Sequence, residues 1–306
     1  MLATRDTFGS QLVESGLKND SIIVLNADLG KATRLSKFQD KIPERFFEVG
    51  IAECNMIGIA SGMAEYGYRV FMASFASFLT GKYDVIRVSI GYSCAPVILV
   101  GTHAGLAIGK DGVTQMGLED VSLMRAIPNM AVVQPATPLE AKMATKYFAE
   151  LKDLRHPVYL RLGRQPVDEV LPDDYNFEFG KAAVLQDGSD ATFISSGCIL
   201  PEVLKAAKIL EKMGKSVAVI NMHTIKPLDV DVIKKYASKT GNIITVEDHS
   251  VIGGLGSAVA EVIAEEAPAK LTRIGLNDCF PESGPPSDLW DKYGLTAKKI
   301  ADRVLW

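Results

Sequence analysis

Residues 68–101 read YRVFMASFASFLTGKYDVIRVSIGYSCAPVILVG, and their pattern decides the fold. Two uninterrupted apolar runs, YRVFMASF (68–75) and APVILVG (95–101), are separated by a stretch long enough for a helix. A strand that is apolar at every position has both faces covered, and a helix between two such strands is the crossover of a parallel sheet. Outward from this unit the pattern repeats. SIIVLNADL (21–29), RFFEV (45–49), MAVVQPA (130–136) and HPVYLRL (156–162) read as further strands, with helices over 53–66 and 138–150. The sequence predicts a doubly wound α/β domain.

A second alternation follows: strands at 191–197, 215–222, 242–248 and 271–276, with helices near 200–213, 229–238, 254–265 and 296–303. Between the two alternations, RQPVDEVLPDDYNFEFG (164–180) is rich in Pro, Asp and Glu and carries no period, as a linker does. The expected organisation is an α/β domain over 1–170, a linker over 171–186, and a smaller α/β domain over 187–306.

At 306 residues and 47% hydrophobic, the chain is able to bury two cores. A formal net charge of −4 offers no basic stripe, so the expected partners are small molecules or proteins and not nucleic acid. Cys54, Cys94, Cys198 and Cys279 show no paired or metal-ligand spacing and suit free thiols. No leader pattern opens the chain and no apolar run approaches the roughly 18 residues of a membrane span, so a cytoplasmic location is expected. Two glycine motifs carry little. GGLGSAVAEV (253–262) lacks the context of a dinucleotide site and reads as helix-start packing, and GKS (214–216) lacks the first glycine of a phosphate loop.

Four constellations carry chemistry. VGIAECNMIGIASGMA (49–64) holds one carboxylate, Glu53, among small and apolar residues with no basic neighbour. Such a group is protonated, turned outward or matched by a ligand. GTHAGLAIGKDGVTQMGLED (101–120) leaves a strand and gathers His103, Lys110, Asp111, Thr114 and Gln115 in a glycine-rich loop. Ligands bind at that edge of a parallel sheet; the bland alternative is that His103 and Asp111 satisfy each other. Phe75 and Phe78, three residues apart, read first as core packing and second as a ring platform for a planar cofactor. Arg164, past a strand end, and Arg5, placed before the first helix, are suited to an anion.

In this order, VGIAECNM, SFASFLTGKYDVIR, the 101–141 run, PVYLRLGRQP and INMHTIKPLD…VEDHSVIGGLGSAVAE resemble the transketolase superfamily of thiamine diphosphate enzymes over nearly the whole chain. The nearest likeness is to the C-terminal half of a split transketolase. The resemblance implies that Glu53 sits against N1′ of the cofactor's aminopyrimidine and donates to it, favouring the imino tautomer whose exocyclic nitrogen deprotonates the thiazolium C2. It implies that the Phe75–Phe78 motif receives the aminopyrimidine, with Phe78 stacked on it. Arg5, His103 and Arg164 would bind the substrate phosphate, and Asp111 a substrate hydroxyl.

Two positions depart from the family pattern. Gln115 stands where a histidine is usual after DGxT, and Ala32 where a serine is expected, which points to an unusual donor sugar. The chain also lacks the GDG…Asn element that holds the diphosphate through its metal, so Mg2+ and the charged end of thiamine diphosphate are expected on an N-terminal partner subunit in an α2β2 assembly, with no metal ligands here. Three other readings share features with this one: a 2-oxoacid dehydrogenase beta subunit, the C-terminal half of a deoxyxylulose phosphate synthase, and a non-catalytic paralogue.

Overall fold

The unbroken apolar runs fold as their composition requires. In the computed structural model, which describes residues 1–304, they form the interior of two sheets flanked by helices. The last two residues of the expected 187–306 domain lie outside the described residues.

The first sheet has seven strands in the order β12 (Thr224–Lys226), β6 (Ala131–Val133), β7 (Val158–Arg161), β5 (Val97–Thr102), β4 (Arg69–Phe75), β2 (Ile22–Asn26) and β3 (Phe46–Glu48). All neighbours are parallel except β12, which runs antiparallel to β6. Side-chain alternation explains the unbroken apolarity. Phe71 and Ala73 of β4 enter one core with Ile98 and Val100 of β5, while Val70, Met72, Val97 and Leu99 enter the core on the opposite face. The second sheet has the order β14 (Lys270–Leu276), β13 (Asn242–Ser250), β10 (Ala191–Ser195), β11 (Val217–Asn221) and β9 (Ala183–Gln186), parallel but for β9.

Four strands lie outside the apolar runs read from the sequence. β9 and β12 are antiparallel edges, and β12 departs from the expected domain plan because it comes from the second half of the chain yet completes the first sheet. The other two, β8 (Pro166–Val167) and β1 (Leu2–Ala3), pair with each other, β8 lying in the period-free stretch 164–180. That segment is held down: Leu171, Tyr175 and Phe177 are buried.

The helix Pro138–Glu150 shows how local chemistry joins the two halves. Thr137 Oγ1 accepts from the Glu140 amide at 3.3 Å, and Glu140 Oε2 accepts from the Ala136 amide at 2.6 Å, a reciprocal cap written in the sequence as ATPLE. The other carboxylate oxygen, Oε1, accepts from Asn221 Nδ2 at 2.8 Å and from the Tyr175 hydroxyl. Burial pushes the Glu140 carboxyl up to about 7, against the pull of these donors.

A second joint is ionic. Arg161, at the end of β7, donates from Nε to Asp120 Oδ2 at 2.8 Å, and Tyr159 donates its hydroxyl to the same oxygen at 2.8 Å. Arg161 Nη2 donates to the carbonyls of Gly117 at 2.9 Å and Asp248 at 3.1 Å. Asp248, on β13, accepts from the Leu106 amide at 2.9 Å and from Trp290 Nε1 at 3.2 Å. His249 Nε2 accepts from the Val121 amide at 3.2 Å while Nδ1 donates to the Ser250 carbonyl at 2.6 Å, and burial holds this imidazole down at about 4.

Removing one partner of a fully buried pair strands the other. Arg161→Met is expected to cost on the order of 3–5 kcal/mol. Arg161→Met with Asp120→Leu should recover most of that, since no charge is then left unpaired. Chemical denaturation midpoints of the three proteins check this, and a double variant as unstable as the single one would count against it.

Glu140 gives a dependence of opposite form. Its folded value lies above the unfolded value, so between the unfolded carboxylate range and about 7 the folded state holds a proton that the unfolded state has lost. Stability from this group is therefore full at low pH, falls as pH climbs through that window by on the order of 3 kcal/mol, and is level above it. Glu140→Gln should narrow or reverse its stability deficit against the unmodified protein between pH 5 and pH 8. A difference in unfolding temperature that stays constant across the window would refute the assignment.

Candidate active site

The carboxyl ends of β2, β4 and β5 open on one edge of the first sheet, where loops in such folds hold ligands. Glu53 is the first residue of the helix Glu53–Glu65 and lies 9% exposed. Ser74, near the end of β4, donates its hydroxyl to Glu53 Oε1 at 3.3 Å. The carboxyl is thus buried against a neutral donor, with no guanidinium or ammonium bonded to it among the described residues.

From the same serine a relay runs to the cationic side of the edge. Thr102 Oγ1, at the end of β5, donates to the Ser74 carbonyl at 3.3 Å and accepts from His103 Nδ1 at 2.9 Å. His103 Nε2 then accepts from Arg5 Nη1 at 2.9 Å. This order fixes the imidazole as the neutral Nδ1–H tautomer. Burial, with Arg5, Arg164 and Arg34 nearby, holds it down at about 3. His103 is 3% exposed and has a positive φ of 58°, which turns its ring back toward the sheet edge.

Phe75 lies between two rings, 5.2 Å from Phe78 and 3.8 Å from His103 between centroids, and is itself buried. Phe78, in the helix Ala76–Thr80, is half-buried. The pair therefore divides: Phe75 is backing, and Phe78 has a ring in reach of a planar ligand.

Arg5 lies inside the helix Thr4–Gly16, not ahead of it as the sequence had suggested. It gives Nη1 to the Ala32 carbonyl at 2.7 Å as well as to His103, and its buried Nε has no hydrogen-bond partner among the described residues. Desolvation lowers the guanidinium to about 10, with Arg34 adding to the effect. Arg164 bonds to Asp111 and donates to the Ile108 carbonyl at 3.0 Å. His103 and Asp111 do not satisfy each other; each is held by a different arginine. Gln115 is half-buried at the end of the short helical turn Val113–Gln115 of the same loop. Glu53, Phe75, His103 and Arg5 are thus linked directly or through one residue, while Arg164 and Asp111 form a neighbouring pair and Gln115 stands farther along the loop.

Sequence reasoning passed over Ser74, whose hydroxyl bonds the carboxyl, Thr102, whose hydroxyl links the imidazole to the Ser74 carbonyl, and Arg34, whose charge reaches both Arg5 and His103. Ser74 lies at an alternation position that a strand reading assigns to packing. Nothing local marks Arg34.

Residues 1–169 match the family described as transketolase, pyrimidine binding domain, and residues 180–300 match transketolase, C-terminal domain. The fold aligns with a structure described as a split gene transketolase, inactive beta4 tetramer, with a TM-score of 0.92 and 43% identity over 99% of this chain and 97% of that one. A 6-deoxy-6-sulfo-D-fructose transketolase subunit of Clostridium sp. is 40% identical over 97% of this chain and 91% of its own length. An apulose-4-phosphate transketolase subunit of Phocaeicola vulgatus is 35% identical over 100% of this chain and 97% of its own. With both domains matched in order, and with separately encoded subunits aligning over nearly their whole length, the chain belongs to the transketolase family.

Proposed function

We propose that this chain is the C-terminal subunit of a thiamine diphosphate-dependent transketolase, transferring a two-carbon ketol unit from a ketose phosphate to an aldose phosphate. The observation that carries the proposal is the buried Glu53 carboxyl, whose only hydrogen-bond donor among the described residues is the neutral Ser74 hydroxyl. A ligand nitrogen is the natural complement to such a group. The half-buried Phe78, backed by Phe75, suits a planar ring beside it, so the residues present fit the aminopyrimidine end of the cofactor.

Thiamine diphosphate, when bound, supplies the carbanion chemistry by which the carbon–carbon bond is broken and remade. This chain's part is to hold and orient. Glu53 would hold the pyrimidine ring by a hydrogen bond to a ring nitrogen, and Phe78 would pack on that ring. Arg5, His103 and Arg164 face the sugar's terminal phosphate, and Asp111 faces a hydroxyl. Because His103 Nε2 is occupied as an acceptor, His103 serves by aiming the Arg5 guanidinium.

Ala32 and Gln115 remove a hydroxyl and a titratable ring that transketolases of the usual pattern use toward the sugar. Two relatives named for unusual sugars, the sulfofructose and apulose phosphate subunits, agree with an atypical donor. Mg2+ and the diphosphate fall to an N-terminal subunit, the two kinds of chain forming an α2β2 assembly. Among the described residues no three His, Cys, Asp or Glu side chains are grouped to hold a metal. No described helix is long and apolar enough to cross a membrane. In this proposal residues 1–170 are the pyrimidine-binding domain, 171–186 the linker and 187–306 the C-terminal domain. Relatives named as transketolase subunits do not favour the 2-oxoacid dehydrogenase alternative.

Reconstitution tests the proposal. Ketol transfer should require both subunits, thiamine diphosphate and Mg2+. The chain alone should show no tight, magnesium-dependent cofactor binding in calorimetry. Tight binding without a partner would overturn the division of the site, and absence of turnover from the pair across a panel of ketose donors would leave a non-catalytic paralogue. Within the active pair, Glu53→Gln should lower turnover by roughly two orders of magnitude or more with the fold intact, in line with loss of acid–base assistance. Unchanged exchange of the cofactor C2 proton in that variant would remove Glu53 from its role.

A further inference from the structure

Arg34 has a conformation that an arginine adopts at a cost. Its φ is 71°, in the left-handed region that favours glycine, and it follows directly on the short helix Gly30–Thr33. The neighbouring chain makes room for it. A Cβ placed on Gly9 would stand 2.6 Å from Arg34 Cβ and 2.7 Å from its carbonyl oxygen, so only glycine at position 9 lets the helix Thr4–Gly16 approach the Arg34 backbone this closely. The result is a second guanidinium beside Arg5. Arg34 Nε donates to Asp6 Oδ1 at 2.5 Å, and Nη1 to the Lys31 carbonyl at 3.3 Å.

The charges around this point do not close. Arg34 is matched by Asp6 and Arg164 by Asp111. Arg5 has no carboxylate bonded to it; it is 9% exposed, leans on a carbonyl and a neutral imidazole, and keeps its Nε buried without a hydrogen-bond partner among the described residues. A desolvated, unmatched guanidinium with a spare donor is a place for an anion. Arg34 is 37% exposed, so part of its guanidinium is open to solvent beside that place. It also stands two residues beyond Ala32, where the family's serine hydroxyl is missing.

We propose that Arg34 is a specificity-determining residue that binds the terminal phosphate of the sugar together with Arg5 and Arg164, with Asp6 as the counter-ion that positions it when the anion is absent. This rests on the transferase reading of the site. A guanidinium near the position of the missing hydroxyl adds charge as well as hydrogen-bond donors, so it favours substrates with a fully ionised terminal group over those ending in an alcohol.

The test separates a binding role from a structural one by treating the two ends of the Arg34–Asp6 pair differently. The unfolding temperature of the full chain is followed against inorganic phosphate at ionic strength held constant with chloride, and its rise gives a dissociation constant. Arg34→Ala should weaken phosphate about tenfold, and Asp6→Asn should leave affinity unchanged or tighten it, because the guanidinium is released toward the anion. Equal affinity in Arg34→Ala, an equal loss in Asp6→Asn, or no phosphate-dependent stabilisation of the unmodified chain would each overturn the proposal. In the reconstituted pair Arg34→Ala should raise KM for a donor with a terminal phosphate while changing kcat less than about threefold. If the unmodified pair shows no ketol transfer, the transferase reading fails, and the phosphate measurement still decides Arg34.

Discussion

The buried pair of Arg161 and Asp120 is the constraint on which the rest of the molecule depends. Its two members come from the first sheet and from the helix Asp120–Ala126, and Arg161 spends its remaining donors on the carbonyls of Gly117 and Asp248. Asp248 in turn holds the Leu106 amide. The loop that starts at His103 is therefore pinned at its head by a carboxylate of the second sheet and at its tail by a guanidinium of the first. A glycine-rich loop of this length would otherwise sample many conformations. The second half of the chain thus fixes the loop that carries three of the candidate site's polar side chains, His103, Asp111 and Gln115.

That arrangement makes the electrostatics of the edge unusual. Three arginines gather round one imidazole, and the imidazole answers by staying neutral and turning its lone pair to Arg5. A protonated ring would lose that bond and place a fourth cation in the cluster. Thr102 ties the imidazole to the Ser74 carbonyl, and the hydroxyl of that same serine separately bonds the Glu53 carboxyl. The edge is thus polarised, with an acidic group at one end, cations at the other, and two hydroxyls between them.

Much of this was legible in the sequence, and the limits were physical. Continuous apolar strands such as VFMA (70–73) and VILV (97–100) declare a sheet covered on both faces, and they fell where expected. β9 and β12 are short and lie at sheet edges, four and three residues long, so neither sustains a strand period in the sequence. Of the two arginines in RLGRQP, spacing drew attention to Arg164. It did not show that Arg161 would be the one locked in the interior, because its partners Asp120 and Asp248 are distant in the chain. Glu53 stood out because a lone carboxylate among apolar residues is a local anomaly. Arg34 did not, since its meaning arises from contact with Gly9 and Asp6 across the turn of two helices.

β12 carries one more consequence. A strand contributed by the second half of the chain covers β6, which without it would be the open margin of a six-stranded sheet. Cutting the chain between its halves would bare a ladder of unpaired amides and carbonyls on a hydrophobic strand, the kind of margin along which separate molecules zip together. The halves are thus unsuited to life as separate polypeptides.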